Sequence, residues 1–121
     1  CMGWIGVDLD GTLAVYPPES GALIGDAIPG MAERVRKWHK DDIEVRIFTV
    51  RAGSRAGVKQ VKAWLKANEL PDLMVTNVKD SGMVELWDDR AIRVIRNTGS
   101  VCAGCNGTSQ FHHHSGDFTN C

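Results

Sequence analysis

The sequence predicts an α/β fold, a parallel sheet with helices on both faces, and three observations carry that expectation. Apolar runs of strand length alternate with amphipathic stretches of ten to fifteen residues, which is the pattern of βαβ units. The first run, WIGVDLD, is almost continuously apolar, as strands buried on both faces are. A chain of 121 residues, 43% hydrophobic and 24% charged, is globular and holds one core but not two. The expected division is a core over residues 1–100 and a Cys- and His-containing tail over residues 101–121.

The elements follow in order. Trp4 to Asp10 reads as the first strand. Residues 11–30 are rich in Gly and Pro and read as loop, with a short hairpin around Leu13 to Tyr16, closed by Pro29 and Gly30. Met31 to Lys40 is predicted helical, because Met31, Val35 and Trp38 recur at helical spacing while Glu33, Arg34 and Lys37 are left for water. Glu44 to Val50 is a second buried strand. Ser54 to Asn68 is a second helix, with Val58, Val61 and Leu65 on one face and Lys59, Lys62 and Lys66 largely off it. Leu73 to Val78 is a third strand, Val84 to Trp87 a fourth and Ile92 to Ile95 a short fifth. Trp38, Trp64 and Trp87 are expected in the core. Glu85 is expected at an edge or facing water, and His39 at a solvated helix end. Together the elements make a three-layer, Rossmann-like sheet.

Right-handed crossovers place all strand C-termini of such a sheet on one edge, and ligands bind beyond that edge. The polar residues of this chain gather there. The first strand stops at Asp8 and Asp10, the second at Thr49 and Arg51, the third near Asn77, Lys79 and Asp80, and the fourth at Asp88 and Asp89. Converging carboxylates repel unless one takes a proton or a cation neutralises them. An all-oxygen set without His or Cys suits Mg²⁺, which keeps waters and meets phosphates. A lysine and a hydroxyl beside such a site can hold phosphate oxygens, so the set describes phosphoryl transfer. In it Asp8 attacks phosphorus, while Asp10 protonates the leaving oxygen and later deprotonates water.

VDLDGTLA resembles the D-x-D-G-T signature of the haloacid dehalogenase-like phosphohydrolases. FTVR resembles their second motif with Thr49 as its hydroxyl, NVKD supplies Lys79 as a third-motif lysine, and ELWDDRA resembles the acidic fourth motif. The resemblance runs from Trp4 to about Asn97, to the short, capless phage and bacterial type. It implies a Mg²⁺-dependent phosphatase with Asp8 as nucleophile and Asp10 as acid/base. Thr49, Arg51 and Lys79 would meet the substrate. Mg²⁺ would lie among Asp8, Asp10 (through its backbone carbonyl), Asp88 and Asp89. Lys79 is preferred over Lys59, which a solvated helix face explains. Neither the loop from Leu13 to Pro29 nor the second crossover has room for a folded cap. An open site suits phosphates on larger molecules, such as nucleotides or nucleic-acid ends, or a homo-oligomer that closes it. The rival functions are a binding module that grips a phosphorylated ligand without turnover, and a phosphotransferase.

Fourteen basic and fifteen acidic residues leave a net charge of -1, so no global field favours nucleic acid. No apolar run nears the roughly 20 residues of a membrane span, and no charged-then-apolar leader precedes the first strand. No Cys lies between Met2 and Ser100, which favours a reducing compartment. The expected location is cytoplasmic. In the tail, Cys102, Cys105, one of His112 to His114, and Cys121 have the spacing of a four-ligand Zn²⁺ knuckle. The other reading is a flexible polar tail.

Overall fold

A computed structural model describes residues 3–17, 19 and 23–105. Four strands and two α-helices alternate along it: β1 (Trp4–Val7), α1 (Pro29–Lys40), β2 (Glu44–Phe48), α2 (Arg55–Ala67), β3 (Met74–Thr76) and β4 (Met83–Trp87). A 3-10 turn, Val50–Gly53, links β2 to α2. All pairings are parallel, in the order β3-β2-β1-β4. The fold is therefore α/β with β1, the strand that leads into Asp8, in the interior of the sheet. Among the described residues no helix is long and apolar enough to cross a membrane.

Both helices start where the chain makes starting cheap. α1 begins at Pro29 rather than Met31, because the ring's preset φ suits the first turn and its missing N–H is an orphan there anyway. Lys37, His39 and Lys40 sit in its last turn, where cations meet the negative end of the helix dipole. Ser54 caps α2, its hydroxyl accepting from the Gly57 amide at 3.0 Å.

One core forms between the sheet and these helices. Ile5, Val7, Val45 and Ile47 alternate along β1 and β2 and pack with Ala32 and Val35 of α1 and Val61 and Leu65 of α2. Trp38, Trp64 and Trp87 lie against that core, and His39 is exposed, as expected. The Trp38 and Trp87 rings meet edge to face at 5.1 Å between centroids. Two successive right-handed crossovers running the same way along a sheet put both helices on one face. The Arg36 guanidinium of α1 accordingly reaches the carbonyls of Asn68 and Glu69 at the end of α2.

Helices on both faces are thus not what the described residues show. The return from β3 to β4 runs through residues 77–82 alone, too few for a helical crossover, which takes a dozen residues or more. That segment is anchored to the second face by Asp80, whose carboxylate accepts from Trp4 Nε1 at 2.8 Å and from the Gly82 amide. The Arg46 guanidinium lies 4.4 Å over the Trp4 ring and also reaches Asp80. A ring, a cation and a carboxylate cover what a helix would otherwise cover.

The expected fifth strand is also absent from the sheet. Ile92, Val94 and Ile95 are exposed, and Val94 makes only an isolated antiparallel bridge with Val101. The amides of Arg90 and Ala91 turn back onto Asp88, which carries the chain off the sheet. Asn97 and Gly99, both at positive φ, then close a local turn. Leu13 to Tyr16 forms no hairpin of its own. Val15 donates to the Asp26 carbonyl and Ile28 to the Leu13 carbonyl, so its antiparallel partner is the segment just before α1.

Candidate active site

β1 ends at Val7, three residues before the predicted Asp10, because the chain turns sharply there. The Leu9 carbonyl accepts from the amides of Thr12, Leu13 and Ala14, and the Gly11 amide donates to the Ala14 carbonyl. The buried side chains of Leu9 and Leu13 anchor the turn in the core. Asp8 remains at the sheet edge, its amide donating to the Trp87 carbonyl of β4 at 2.9 Å. That bond sets the end of β1 beside the end of β4, and so Asp8 beside Asp88 and Asp89.

The three carboxylates converge: Asp8, Asp88 and Asp89 each offer an oxygen within 4.8 Å of the others. One Asp88 oxygen accepts from the Arg90 amide at 2.7 Å, which holds that side chain's direction. Asp89 is clasped by Thr12. The Thr12 hydroxyl donates to Asp89 Oδ1 at 3.0 Å and accepts from the Asp89 amide at the same distance. Gly11 makes room for this clasp. Its φ is 94°, and a Cβ there would stand 2.6 Å from Asp89 Oδ2.

The electrostatics report a cluster short of positive charge. The Asp8 carboxyl is pushed up to about 7, mainly by burial, then by the charge of Asp88, with Asp89 adding to both and the Leu9 amide opposing them. Burial and like charges each disfavour the ionised form. A hard divalent cation would reverse that balance, and an all-carboxylate donor set fits Mg²⁺ or a similar oxygen-seeking ion. The acidic triad can therefore hold a metal.

Asp10 belongs to a second, adjoining group. Its carboxylate turns away from the triad onto Arg51, which grips it with Nε at 2.8 Å and a terminal nitrogen at 2.9 Å. Both side chains are largely shielded, at 11% and 16% exposure, and such a two-pronged, charge-assisted pair is rigid as well as strong. The third guanidinium nitrogen reaches Gln60 Oε1 of α2 at 3.3 Å. The Asp10 hydrogen bond holds the Arg51 guanidinium above its ordinary range.

Thr49 is buried at the end of β2, its amide bonded to the Thr76 carbonyl of β3. Its Oγ accepts the Arg51 amide at 3.2 Å and caps the 3-10 turn, leaving the hydroxyl proton to be donated elsewhere. Lys79 is exposed in the 77–82 segment, and among the described residues no hydrogen bond or ion pair joins it to Asp8, Asp10 or Thr49. Lys59 is exposed on α2 and makes no such contact either.

The structure thus brings Asp8, Asp88 and Asp89 together and pairs Asp10 with Arg51 beside Thr49. Of the tail, Cys102 and Cys105 are described, while His112 to His114 and Cys121 lie outside the described residues. Sequence reasoning passed over Gly11, Thr12 and Gln60. Gly11 and Thr12 follow the two aspartates directly, so a turn tight enough to bring a hydroxyl back to the sheet edge was the available signal. Gln60 gave none, because only the seating of α2 on the 3-10 turn points it at Arg51. Comparison of this chain with protein-family models, with curated proteins and with solved structures found no match.

Proposed function

We propose that this protein is a Mg²⁺-dependent phosphatase that cleaves phosphate monoesters through an aspartyl-phosphate on Asp8. The observation that carries the reading is the convergence of Asp8, Asp88 and Asp89 on one point of the sheet edge, with a second carboxylate, Asp10, held separately two residues from Asp8. A metal-binding triad alone would need no Asp10. A nucleophile with its own acid/base does.

Bound Mg²⁺ would supply positive charge to ionise Asp8 and to offset the phosphoryl oxygens. The residues would act as follows. An Asp8 oxygen forms a bond to phosphorus as the bond to the leaving oxygen breaks, and that oxygen takes the Asp10 proton. A water then attacks phosphorus and gives its proton to Asp10, and phosphate leaves with Asp8 restored. Thr49 Oγ donates to a phosphoryl oxygen. Arg51 orients Asp10 through its two contacts. For the first half, one of the two Arg51 contacts must yield to the leaving group. Asp88 and Asp89 hold the metal, with Thr12 and the Arg90 amide fixing their directions. Among the described residues no folded cap covers this edge, which favours phosphates carried on large or extended molecules, such as nucleotides and nucleic-acid ends.

The test is hydrolysis of an aryl phosphate with Mg²⁺ and with EDTA, alongside acid-quench trapping of a phosphoenzyme. Activity that needs Mg²⁺, and a hydroxylamine-labile phosphoenzyme absent from Asp8→Asn, are the expected results. Wild-type turnover in Asp8→Asn would remove Asp8 as the nucleophile, and binding of phosphate esters without any turnover would replace this reading with that of a binding module.

A further inference from the structure

The segment after β4 carries charge that the carboxylate site does not use. From Arg90 to Cys105 the chain has three arginines, Arg90, Arg93 and Arg96, and no Asp or Glu. Every residue from Asp89 to Val101 is exposed, and among the described residues none of these guanidinium groups forms an ion pair. The segment nevertheless has a definite course. Val94 bridges Val101 antiparallel, the Ile95 amide donates to the Ser100 carbonyl at 2.8 Å, and the Cys102 amide donates to the Arg93 carbonyl at 2.9 Å. At its tip the Thr98 hydroxyl donates to the Ile95 carbonyl and accepts from the Ser100 amide. Cations without carboxylate partners thus recur at every third residue along a backbone whose path is fixed.

Arg90 ties this segment to the rim of the acidic triad. It lies two residues from Asp88, a span of at most about 7 Å, and its amide donates to an Asp88 oxygen. Its guanidinium pairs with neither Asp88 nor Asp89. It lies over the Tyr16 ring, 5.8 Å from the centroid, and donates to the Tyr16 hydroxyl at 3.4 Å. Two contacts therefore join the turn after β1 to the segment after β4: Thr12 with Asp89 at the triad, and Tyr16 with Arg90 at the exposed rim. At 54% exposure Tyr16 adds little to the core. Ring and cation instead present a planar, positively charged surface to solvent. Unpaired bases stack on aromatic rings and on guanidinium planes, and neighbouring arginines follow the phosphates. A strand is narrow enough to meet ring, arginines and carboxylates in turn, which a flat anionic lipid surface is not.

We propose that Tyr16 and Arg90 form a base-stacking platform at the rim of the carboxylate site, and that Arg93 and Arg96 extend it into a track for the phosphodiester backbone of single-stranded nucleic acid. The strand would lie along the segment after β4, with its end directed at Asp8. What happens to a terminal phosphate there rests on the phosphatase reading, whereas the binding of the strand does not.

The experiment is fluorescence anisotropy of a short, end-labelled oligothymidylate with hydroxyl ends, titrated with the full chain in EDTA at low salt. No turnover enters this measurement, so the phosphatase reading can fail while the binding stands, and the reverse. Affinity should fall with salt at a log–log slope of about −2, as three cations on a single strand require. Arg93→Gln and Arg96→Gln should each make that slope shallower by about 0.7. Tyr16→Ala and Arg90→Gln should each weaken binding by about tenfold, while Tyr16→Phe, which keeps the ring, stays within about threefold of wild type. A strand with the same phosphates but no bases should bind wild type about tenfold more weakly, and should no longer distinguish it from Tyr16→Ala. No binding at low salt, an affinity that survives both Tyr16→Ala and Arg90→Gln, or equal affinity for the strand without bases would each overturn the proposal. Tighter binding to phosphatidylserine vesicles than to the strand would overturn it in favour of a lipid surface.

Discussion

Removing the charge of Asp8 should make the metal-free protein more stable at neutral pH, and the gain should vanish in acid. The Asp8 carboxyl stands at about 7 in the folded chain against 3.8 ordinarily, chiefly through burial and then through Asp88. Between these values the folded chain keeps a proton that the unfolded chain has lost, so stability falls as pH rises through that window. Above about pH 7 the penalty is complete. An interval of roughly three pH units corresponds to at most about 4 kcal/mol. Asp8 is itself only partly buried, so water reaches the carboxyl, weakens the penalty and brings the expected figure to roughly 2 kcal/mol. Asp8→Asn carries no such charge, and its amide can donate to Asp88 or Asp89. For a chain of this length the melting temperature in EDTA at pH 8 should rise by on the order of 5–10 °C, with almost no difference at pH 4. The Asp80 carboxyl does not confuse the comparison. The Trp4 indole N–H and then the Gly82 amide lower it, so its contribution is lost only below pH 3.8. Adding Mg²⁺ should raise the wild-type melting temperature by RT ln(1 + [Mg²⁺]/Kd) in free energy, and that of Asp8→Asn far less. Melts of both proteins by circular dichroism at the two pH values decide the matter. A variant less stable than wild type at pH 8, or a gap that does not depend on pH, would refute the argument.

Two further substitutions probe the neighbouring groups. Arg51→Gln leaves Asp10 without its two-pronged partner, and the aryl phosphatase rate should drop by about 10²-fold or more, within the range for a mispositioned acid/base, while Mg²⁺ affinity, read from the thermal shift, stays within threefold. Gly57→Ala sets helix propensity, which favours Ala by roughly 1 kcal/mol, against a Cβ that would fall on the Arg51 carbonyl oxygen. Sterics should win, because that neighbour is backbone and cannot rotate aside, for a net loss of about 1–3 kcal/mol in urea unfolding.

How much of this was legible in the sequence depended on the range of the physics involved. Hydrophobic periodicity is local, so the two helices and the first four strands could be read within a few residues of their ends. An alternation of strands and helices dictates a parallel sheet and therefore one edge at which Asp8, Thr49 and Asp88 emerge. Strand ends were less legible, since Leu9 reads as strand until its carbonyl is seen to accept three amides. The IRVI run after β4 satisfied the same local rule and failed, because whether an apolar run joins a sheet is settled by where the preceding turn sends it. Asp88 sends it away.

What only the tertiary structure decided is which charged groups meet. Asp8 and Asp10 are two residues apart in sequence, yet one faces Asp88 and Asp89 and the other faces Arg51. No spacing rule separates them, because their directions come from a turn held by Leu9 and Leu13 in the core and by Thr12 on Asp89. The single helical face has a like cause. Strand order and the short 77–82 return are properties of the assembled sheet, and that return is too short to hold a crossover helix. Residue types and strand ends are written in the chain itself, because burial selects apolar side chains and leaves charged ones where strands stop. Partnerships among those charges are not, because distances between residues about forty or eighty positions apart exist only once the core has packed.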